Sequence, residues 1–450
     1  MMDGILDYVR LNWHMDHFSP ERLRRYQEKQ LFKLLDHSKK HSEFYKKQWM
    51  GKEIRSMKDF GQLPVINKQI MMEHFDELNT CGLRLSEVKE YALEKERNKD
   101  YNGYYKGRYV IGLSSGTSGN KGLYITPKAI TQRLPAVFLA RSGISLRRLP
   151  FRILFLLRVF SQGFADIHSP LIDLTYLSTM EPVDRIIRVM NEKKVNILLA
   201  PPSLLRLLIP YRDQIVAPLK IIVSCAEVLE KEEKQRLKAV FGTPVVEIYQ
   251  ASEGPIASPC RCGSLHINED IVLVELYDTL GNPVEKADQV ASRMLVTNLV
   301  NFAQPLIRYE MNDLIVLDEP CSCGSSFRVI KKVLGRNDDV IYLQRKNKEL
   351  QHLFPDLMAR WIITTSDNIR EFKVIQNSPT TLEVILDLFD SAEPARKRVI
   401  DDLSLRIKEE LSALELTADL SIRIERITLP DNRAKYKRFQ VDPMGTHEPA

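Results

Sequence analysis

Several short stretches of this chain carry residue types that can do chemistry. Residues 114–122, "SSGTSGNKG", combine three glycines, four hydroxyl side chains and Lys121, with no large apolar group. Glycine lets a backbone approach a ligand closely. Consecutive backbone N–H groups, hydroxyls from Ser114, Ser115, Thr117 and Ser118, and the Lys121 ammonium form a cradle for anionic oxygens. The two commonest phosphate-loop spacings are absent, because Gly122 follows Lys121 and no G-x-G-x-x-G occurs here. A flexible surface linker is the plain alternative. A second kind of chemistry is suggested by "CRCGSLH" and "CSCG". They place Cys260, Cys262, His266, Cys321 and Cys323 in two glycine-containing turns. A zinc ion takes four nitrogen or sulfur ligands in a tetrahedron, so five candidates compete for four positions. Buried free thiols are the alternative.

The elements that must hold these residues follow from hydrophobic spacing. Residues 20–60 read as helices rich in Lys, Arg and Glu. From about 183, "VDRIIRVMNEKK" has helical spacing, "VNILLA" is a short apolar run, and "PSLLRLLIPYRDQI" is helical again. "LKIIVSC", "LEKEEKQRLKAVF" and "PVVEIYQ" continue as strand, helix and strand. Such alternation implies parallel strands with helical crossovers, an α/β domain whose ligands sit at the carboxyl ends of strands. "VSCAE" and "IYQASE" are such ends, and "RYVIGL" is a strand leading into the glycine-serine loop. Residues 270–317 read as all-β. After "LGRNDDV" the pattern strand, helix, strand, strand, helix, strand describes a small α+β domain.

Bulk properties narrow the class. A chain of 450 residues, 44% apolar, is long enough for more than one domain and is not mainly disordered. The net charge of +6, from 65 basic and 59 acidic residues, is too small an excess to argue for nucleic acid. The opening "MMDGILDYVRLNWHMDHF" is interrupted by charges and does not read as a signal peptide. The apolar run "FRILFLLRVF" is too short to span a bilayer. The expectation is a cytoplasmic protein with no membrane span. Two Cys-x-Cys pairs then point to metal rather than disulfides.

Six motifs in order make the reading more specific. "SSGTSG" resembles the phosphate-binding loop of the adenylate-forming, acyl-CoA synthetase-like superfamily. "CAEVL" resembles its adenine-contacting segment and "YQASEG" its aromatic-x-x-(Thr/Ser)-Glu motif. "PLIRYEMNDL", "LGRNDDVI" and "AKYKRF" resemble its RY-x-x-GD stretch, its hinge and its final lysine segment. Within that superfamily the chain looks most like the phenylacetate-CoA ligase-like branch. There, "LPVINKQIMMEHFDELNT" and "GSLHINED" suggest the subgroup of the deazaflavin-coenzyme adenylyltransferase. Three departures stand out: Asn120-Lys121 for the usual Pro-Lys, Asn312-Asp313 for Gly-Asp, and Ala434 for the glycine before the last lysine.

The resemblance implies a large ATP- and substrate-binding domain, residues 1–335, and a mobile small domain, residues 336–450. It implies ATP-dependent adenylation of a carboxylic acid with release of pyrophosphate, then transfer to a thiol of coenzyme A or a carrier-protein pantetheine. The alternatives are AMP transfer to a hydroxyl of a coenzyme, and a non-catalytic ATP- or AMP-binding protein. Ser114, Ser115, Gly116, Thr117, Ser118, Gly119 and Lys121 would hold the phosphates. Glu253 would hold magnesium, as a hard carboxylate suits that ion. Ser224, Ala226 and Glu227 would line the adenine face. Tyr249, Gln250 and Ser252 would line the same site. Asp313 would accept from the ribose, and Arg308 and Arg336 would reach phosphate or ribose. Lys435 would bridge the substrate carboxylate and the α-phosphate. Read singly, Glu253 could be a surface glutamate, Asp313 a turn residue and Tyr249 a core tyrosine. For zinc, the branch's Cys-x5-His element and later Cys-x-Cys select Cys260, His266, Cys321 and Cys323, leaving Cys262 spare, in a structural site. "FSQGFADIH", with Phe160, Phe164, Asp166 and His168, is the candidate acyl-pocket segment. A homodimer is a further expectation.

Overall fold

The computed structural model describes residues 2–98, 103–113, 122–142, 144, 149–157, 170–179, 181–345, 347–427 and 437–441. The fold is mixed α/β, as the alternation of strand and helix patterns implies. Five parallel strands form one sheet in the order Ile172–Ser178, Phe151–Leu157, Ile197–Ala200, Ile221–Ser224, Val245–Glu247. Every residue of Ile197–Ala200 and Ile221–Ser224 is buried, which is why these strands appear in sequence as continuous apolar runs. The crossover helix Val183–Glu192 buries Ile186, Ile187 and Met190 on one stripe. Each such side chain contributes roughly 1.5–3 kcal/mol of transfer free energy. The segment "PSLLRLLIPYRDQI" is not one helix. An α-helix, Pro202–Leu207, gives way to a 3-10 helix, Ile209–Gln214, at Pro210, which has no N–H to continue the α ladder.

A second sheet has six strands in the order Val290–Ala291, Asp313–Leu317, Val329–Arg336, Leu265–Ile267, Gly254–Pro259, Tyr249–Ala251. The run "PVVEIYQ" therefore serves two sheets: Val245–Glu247 closes the parallel one and Tyr249–Ala251 opens this antiparallel one. The strand Val329–Arg336 sets Val329 opposite His266 and Arg336 opposite Asp313. Strands Val272–Tyr277, Arg293–Asn298 and Tyr309–Met311 form a third sheet, and together these account for the β-rich reading of 270–317. The hairpin Tyr109–Leu113 with Leu123–Pro127 pairs Leu113 with Leu123, so the two ends of the glycine-serine loop are held side by side.

Residues 341–441 have a core of their own, with Leu343, Met358, Ile362, Phe372, Val384, Leu386, Leu403 and Ile407 among its members. It is built from a three-stranded sheet, a four-stranded sheet and the helices Pro355–Thr365 and Ala395–Ala413. Just before it, Gly335 has φ +117°, and a Cβ there would meet Pro355 at 3.0 Å. Glycine is required on both counts. No helix among the described residues is long and apolar enough to cross a membrane.

Candidate active site

A cleft of about 2160 Å³ lies between the carboxyl edge of the parallel sheet, the six-stranded sheet and the C-terminal unit. Leu113, Leu123 and Tyr124, from the base of the glycine-serine loop, line it. So do Ser224, Ala226, Glu227, Tyr249, Gln250, Ser252, Glu253, Asp313, Arg336 and Lys437. The candidate residues Ser114, Ser115, Gly116, Thr117, Ser118, Gly119 and Lys121 lie outside the described residues, as do Phe160, Phe164, Asp166, His168 and Lys435.

Glu253 follows the short strand Tyr249–Ala251 and is tied to two other elements. Tyr124 Oη donates to its carboxylate at 2.8 Å and lies 3.1 Å from Tyr309 Oη. Asn298 Nδ2 donates to the Glu253 carbonyl at 2.7 Å. A Cβ on the next residue, Gly254, would come within 3.0 Å of the same amide nitrogen, so the "SEG" glycine makes room for that contact. Burial raises the Glu253 carboxyl above its ordinary range, while the Tyr124 hydrogen bond acts in the opposite direction.

On the facing strands, Tyr249 Oη donates to Asp313 Oδ2 at 2.7 Å, and Arg336 Nε lies 3.8 Å from Asp313 Oδ1. Asp313 thus keeps acceptor capacity toward the cleft while being held from two sides. Ala226 has φ +67°, a left-handed conformation uncommon for a residue with a side chain, directly after the strand end Ile221–Ser224. The Glu227 carboxylate accepts from the Ser203 N–H and hydroxyl at 3.1 and 2.8 Å. Arg308 does not line the cleft. It is buried and donates to the carbonyls of Gly61 and Leu63 at 2.5 and 2.6 Å, and to Glu275 at 3.1 Å. Its guanidinium closes the chain around residues 61–63 instead of reaching a ligand. Lys437 lies 3.1 Å from Asp339 and 3.6 Å from Asp338, the two aspartates of "LGRNDDVI".

The ligand atoms of Cys260, His266, Cys321 and Cys323 all lie within 4.8 Å of one another. Cys260 Sγ is 3.7 Å from Cys321 Sγ, and Cys323 Sγ is 3.4 Å from His266 Nε2. A zinc tetrahedron with bonds of about 2.3 Å to sulfur and ~2.05 Å to nitrogen has S···S edges of about 3.8 Å and S···N edges of about 3.5 Å. The cluster therefore fits that ion. His266 Nδ1 lies 2.8 Å from the Phe327 carbonyl; donation there leaves Nε2 free as a ligand. Cys262 is exposed, outside the group of four, and its backbone N–H points at Cys260 Sγ at 3.3 Å.

Comparison with solved structures places this architecture. A 2-hydroxyisobutyryl-CoA ligase in the postadenylation state superposes with a TM-score of 0.73, covering 96% of this chain and 92% of that one at 15% identity. The fold is that of the adenylate-forming CoA ligases. The same ligase in its thioesterification state, in complex with 2-HIB-AMP and CoA, gives a TM-score of 0.58 at 17% identity, covering 96% of this chain and 91% of that one. In sequence, a phenylacetate-coenzyme A ligase from Thermus thermophilus is 27% identical over 185 residues, 38% of this chain. That match spans 40% of the relative's length. No protein-family model matches the chain.

The adenylate-forming fold brings in residues that the motifs did not single out. Tyr124 and Asn298 hold Glu253 from two separate strands, and Tyr309, on a third, backs Tyr124. Lys68 lines the cleft, and its ammonium pKa is lowered by burial and by Arg336, with Glu253 acting in the opposite direction. The segment before it is stitched to the "RYE" strand: Ile66 N–H donates to the Arg308 carbonyl and Glu310 N–H to the Ile66 carbonyl. The signal in the sequence is the polar run Asn67-Lys68-Gln69 between the apolar runs "LPVI" and "IMM".

Proposed function

We propose that this chain is an ATP-dependent acid–thiol ligase working in two half-reactions. In the first, a carboxylate oxygen of a small acid attacks the α-phosphorus of ATP. The bond to the bridging oxygen breaks and pyrophosphate leaves. In the second, a thiol of coenzyme A or of a carrier-protein pantetheine attacks the acyl carbon, its proton is lost, and AMP leaves. The observation carrying this reading is the convergence on one cleft of Glu253, Tyr249, Asp313 and Arg336 with the base of the glycine-serine loop and the end of the lysine segment.

Each group has a task set by charge. An anion must approach a polyanion, so catalysis is mostly positioning and electrostatic compensation. Glu253 would hold the magnesium ion that neutralises phosphate charge. The loop would cradle the phosphates and Asp313 would receive the ribose hydroxyls. Arg336 and Lys68 would add positive charge. The Cys260, His266, Cys321, Cys323 cluster would hold zinc as a closed structural site. Residues 336–450 would move as a unit between the half-reactions.

Incubation with ATP, magnesium and a library of acids, with and without coenzyme A, tests the reading through pyrophosphate release. Phenylacetate is the first acid to try, given the sequence match. Pyrophosphate release that never depends on an acid, or AMP recovered on a hydroxyl compound, would overturn it. Gly116→Val is expected to weaken ATP binding while the fold, read by circular dichroism, is retained, because valine blocks close approach of the loop backbone. ATP affinity unchanged in that variant would remove the loop from the site.

A pH dependence follows from Glu253. Only the carboxylate binds magnesium, and burial raises its pKa, so acidification abolishes binding at a higher pH than for an ordinary glutamate. Tyr124→Phe deletes the hydrogen bond that opposes this rise. Its acid limb in the pH profile of pyrophosphate release is expected to lie at higher pH than in the parent protein. Glu253→Gln should lower the rate about a hundredfold, the scale of losing one preorganised electrostatic group. An acid limb unmoved by Tyr124→Phe would show that another group titrates.

A further inference from the structure

A row of charges crosses the seam between the parallel-sheet region and the C-terminal unit. Arg438 Nε and Nη2 donate to the two carboxylate oxygens of Glu371 at 2.8 and 3.1 Å. Arg438 Nη2 also lies 3.4 Å from Glu227 Oε2. On the other side of Glu371, Arg206 Nη2 lies 3.5 Å away, and Arg206 Nη1 is 2.9 Å from Glu233. Arg206 is 1% exposed, and its Nε donates to the Arg370 carbonyl at 3.1 Å.

The distances fall into two classes. Arg206–Glu233 lies wholly on one side of the seam and Arg438–Glu371 wholly on the other. These are the short contacts, at 2.9 and 2.8 Å. Within this row the charge pairs across the seam, Arg438–Glu227 and Arg206–Glu371, are longer, at 3.4 and 3.5 Å, while the Arg206 Nε bond to the Arg370 carbonyl crosses at 3.1 Å and, outside the row, Arg360 lies 2.8 Å from Glu232. A buried charge stripped of its partner costs several kcal/mol. Parting the seam here takes the Arg370 carbonyl from Arg206, but it leaves Arg206 beside Glu233, Arg438 on Glu371 and Glu227 on Ser203. The arrangement suits a contact that is made and broken repeatedly better than a permanent weld.

Arg438 also lies at the C-terminal end of the lysine segment. It follows Lys437 directly and precedes the strand Phe439–Val441, which pairs in parallel with Val374–Gln376. Its own carbonyl accepts from the Val374 N–H at 2.7 Å. Glu227 lies just beyond the strand Ile221–Ser224 and lines the cleft. Arg438 is thus a direct tie between the strand end of the cleft and the segment that carries Lys435.

We propose that Arg438 is a positioning residue for the first half-reaction: by bridging Glu371 and Glu227 it registers the lysine segment over the cleft, and it lets go of Glu227 when the C-terminal unit swings. This rests on the two-step reading above. The deciding measurement is the distance between nitroxide labels placed at Lys193→Cys and Lys397→Cys, in full-length protein carrying Cys262→Ser, without ligand. Both label sites are exposed. Glu227→Gln leaves both internal pairs intact and is expected to shift at least a severalfold larger population to a second distance. An unchanged distribution overturns the proposal. Kinetically, Arg438→Gln should lower kcat for acyl-AMP formation about tenfold, with the KM for ATP little changed. Arg438→Lys should recover part of that loss, because it restores the charge without the bidentate fork. Thioester formation from supplied acyl-AMP should be unaffected. Equal loss in both steps means a merely structural role and also overturns it. If no acid releases pyrophosphate from the parent protein, the two-step reading falls and the positioning role falls with it. The label distances would then still show whether the bridge holds the seam.

Discussion

Lys435→Ala is expected to slow acyl-AMP formation by about 10²–10³-fold and to leave thioester formation from supplied acyl-AMP near the parent rate. The charge argument is direct. As the carboxylate oxygen closes on the α-phosphorus, negative charge gathers between two anions, and a flexible ammonium can follow it. That need ends when pyrophosphate leaves. Lys437 is the natural competitor in "AKYKRF", but its ammonium is already paired with Asp339 at 3.1 Å. Lys437→Ala is therefore expected to cost far less in adenylation than Lys435→Ala. Pyrophosphate release with saturating acid, and thioester formation from purified acyl-AMP, separate the two steps. A larger adenylation loss from Lys437→Ala would move the assignment by two residues. Equal loss in both steps from Lys435→Ala would make its role structural.

Protein purified without chelator is expected to carry about one equivalent of zinc, and Cys321→Ser or Cys323→Ser should release it with a fall in melting temperature of roughly 5 °C or more. The four ligand atoms come from two segments more than fifty residues apart, three cysteines in turns or strand ends and His266 in the strand Leu265–Ile267, and the metal would tie these segments together. The cluster packs with Phe18, Leu23 and Phe327, so its loss should also loosen the first helices. Cys262→Ser should keep both zinc and melting temperature, since its exposed sulfur stands outside the group. Metal analysis finding no zinc in reduced, well-folded protein would reject the site.

Parts of this architecture are legible because burial leaves a simple mark. Strands covered on both faces, such as Ile197–Ala200, must be apolar throughout, and the helices between them show a one-sided stripe. The edge strand Ile172–Ser178 is half-buried at most positions and gives no such mark. "FRILFLLRVF" reads as an apolar run of uncertain use, and only the pairing of Phe151–Leu157 with two neighbours makes it a central strand. The Cys and His residues stand out by type, and their spacing keeps Cys262 in contention until distances separate it. Glu253 and Asp313 are recognisable from motifs; Tyr309 and Lys68 lie inside quoted stretches without being assigned a role, and Tyr124 lies in none. Their relation to Glu253 exists only across separations of 56 to 185 residues. Arg308 shows the converse. It sits inside a motif, yet its φ of +50° turns it toward the carbonyls of Gly61 and Leu63.

Gly335 sets how near the strand Val329–Arg336 can come to the helix Pro355–Thr365. Its α-carbon faces the ring of Pro355 at the start of a C-terminal helix, where an added methyl would stand 3.0 Å from the ring. Alanine at this position would act as a wedge. It would hold the start of the helix Pro355–Thr365, which lines the cleft through Pro355, Asp356 and Leu357, away by a few tenths of an ångström. The closeness of this helix to the strand Val329–Arg336 thus depends on a carbon atom that residue 335 does not have.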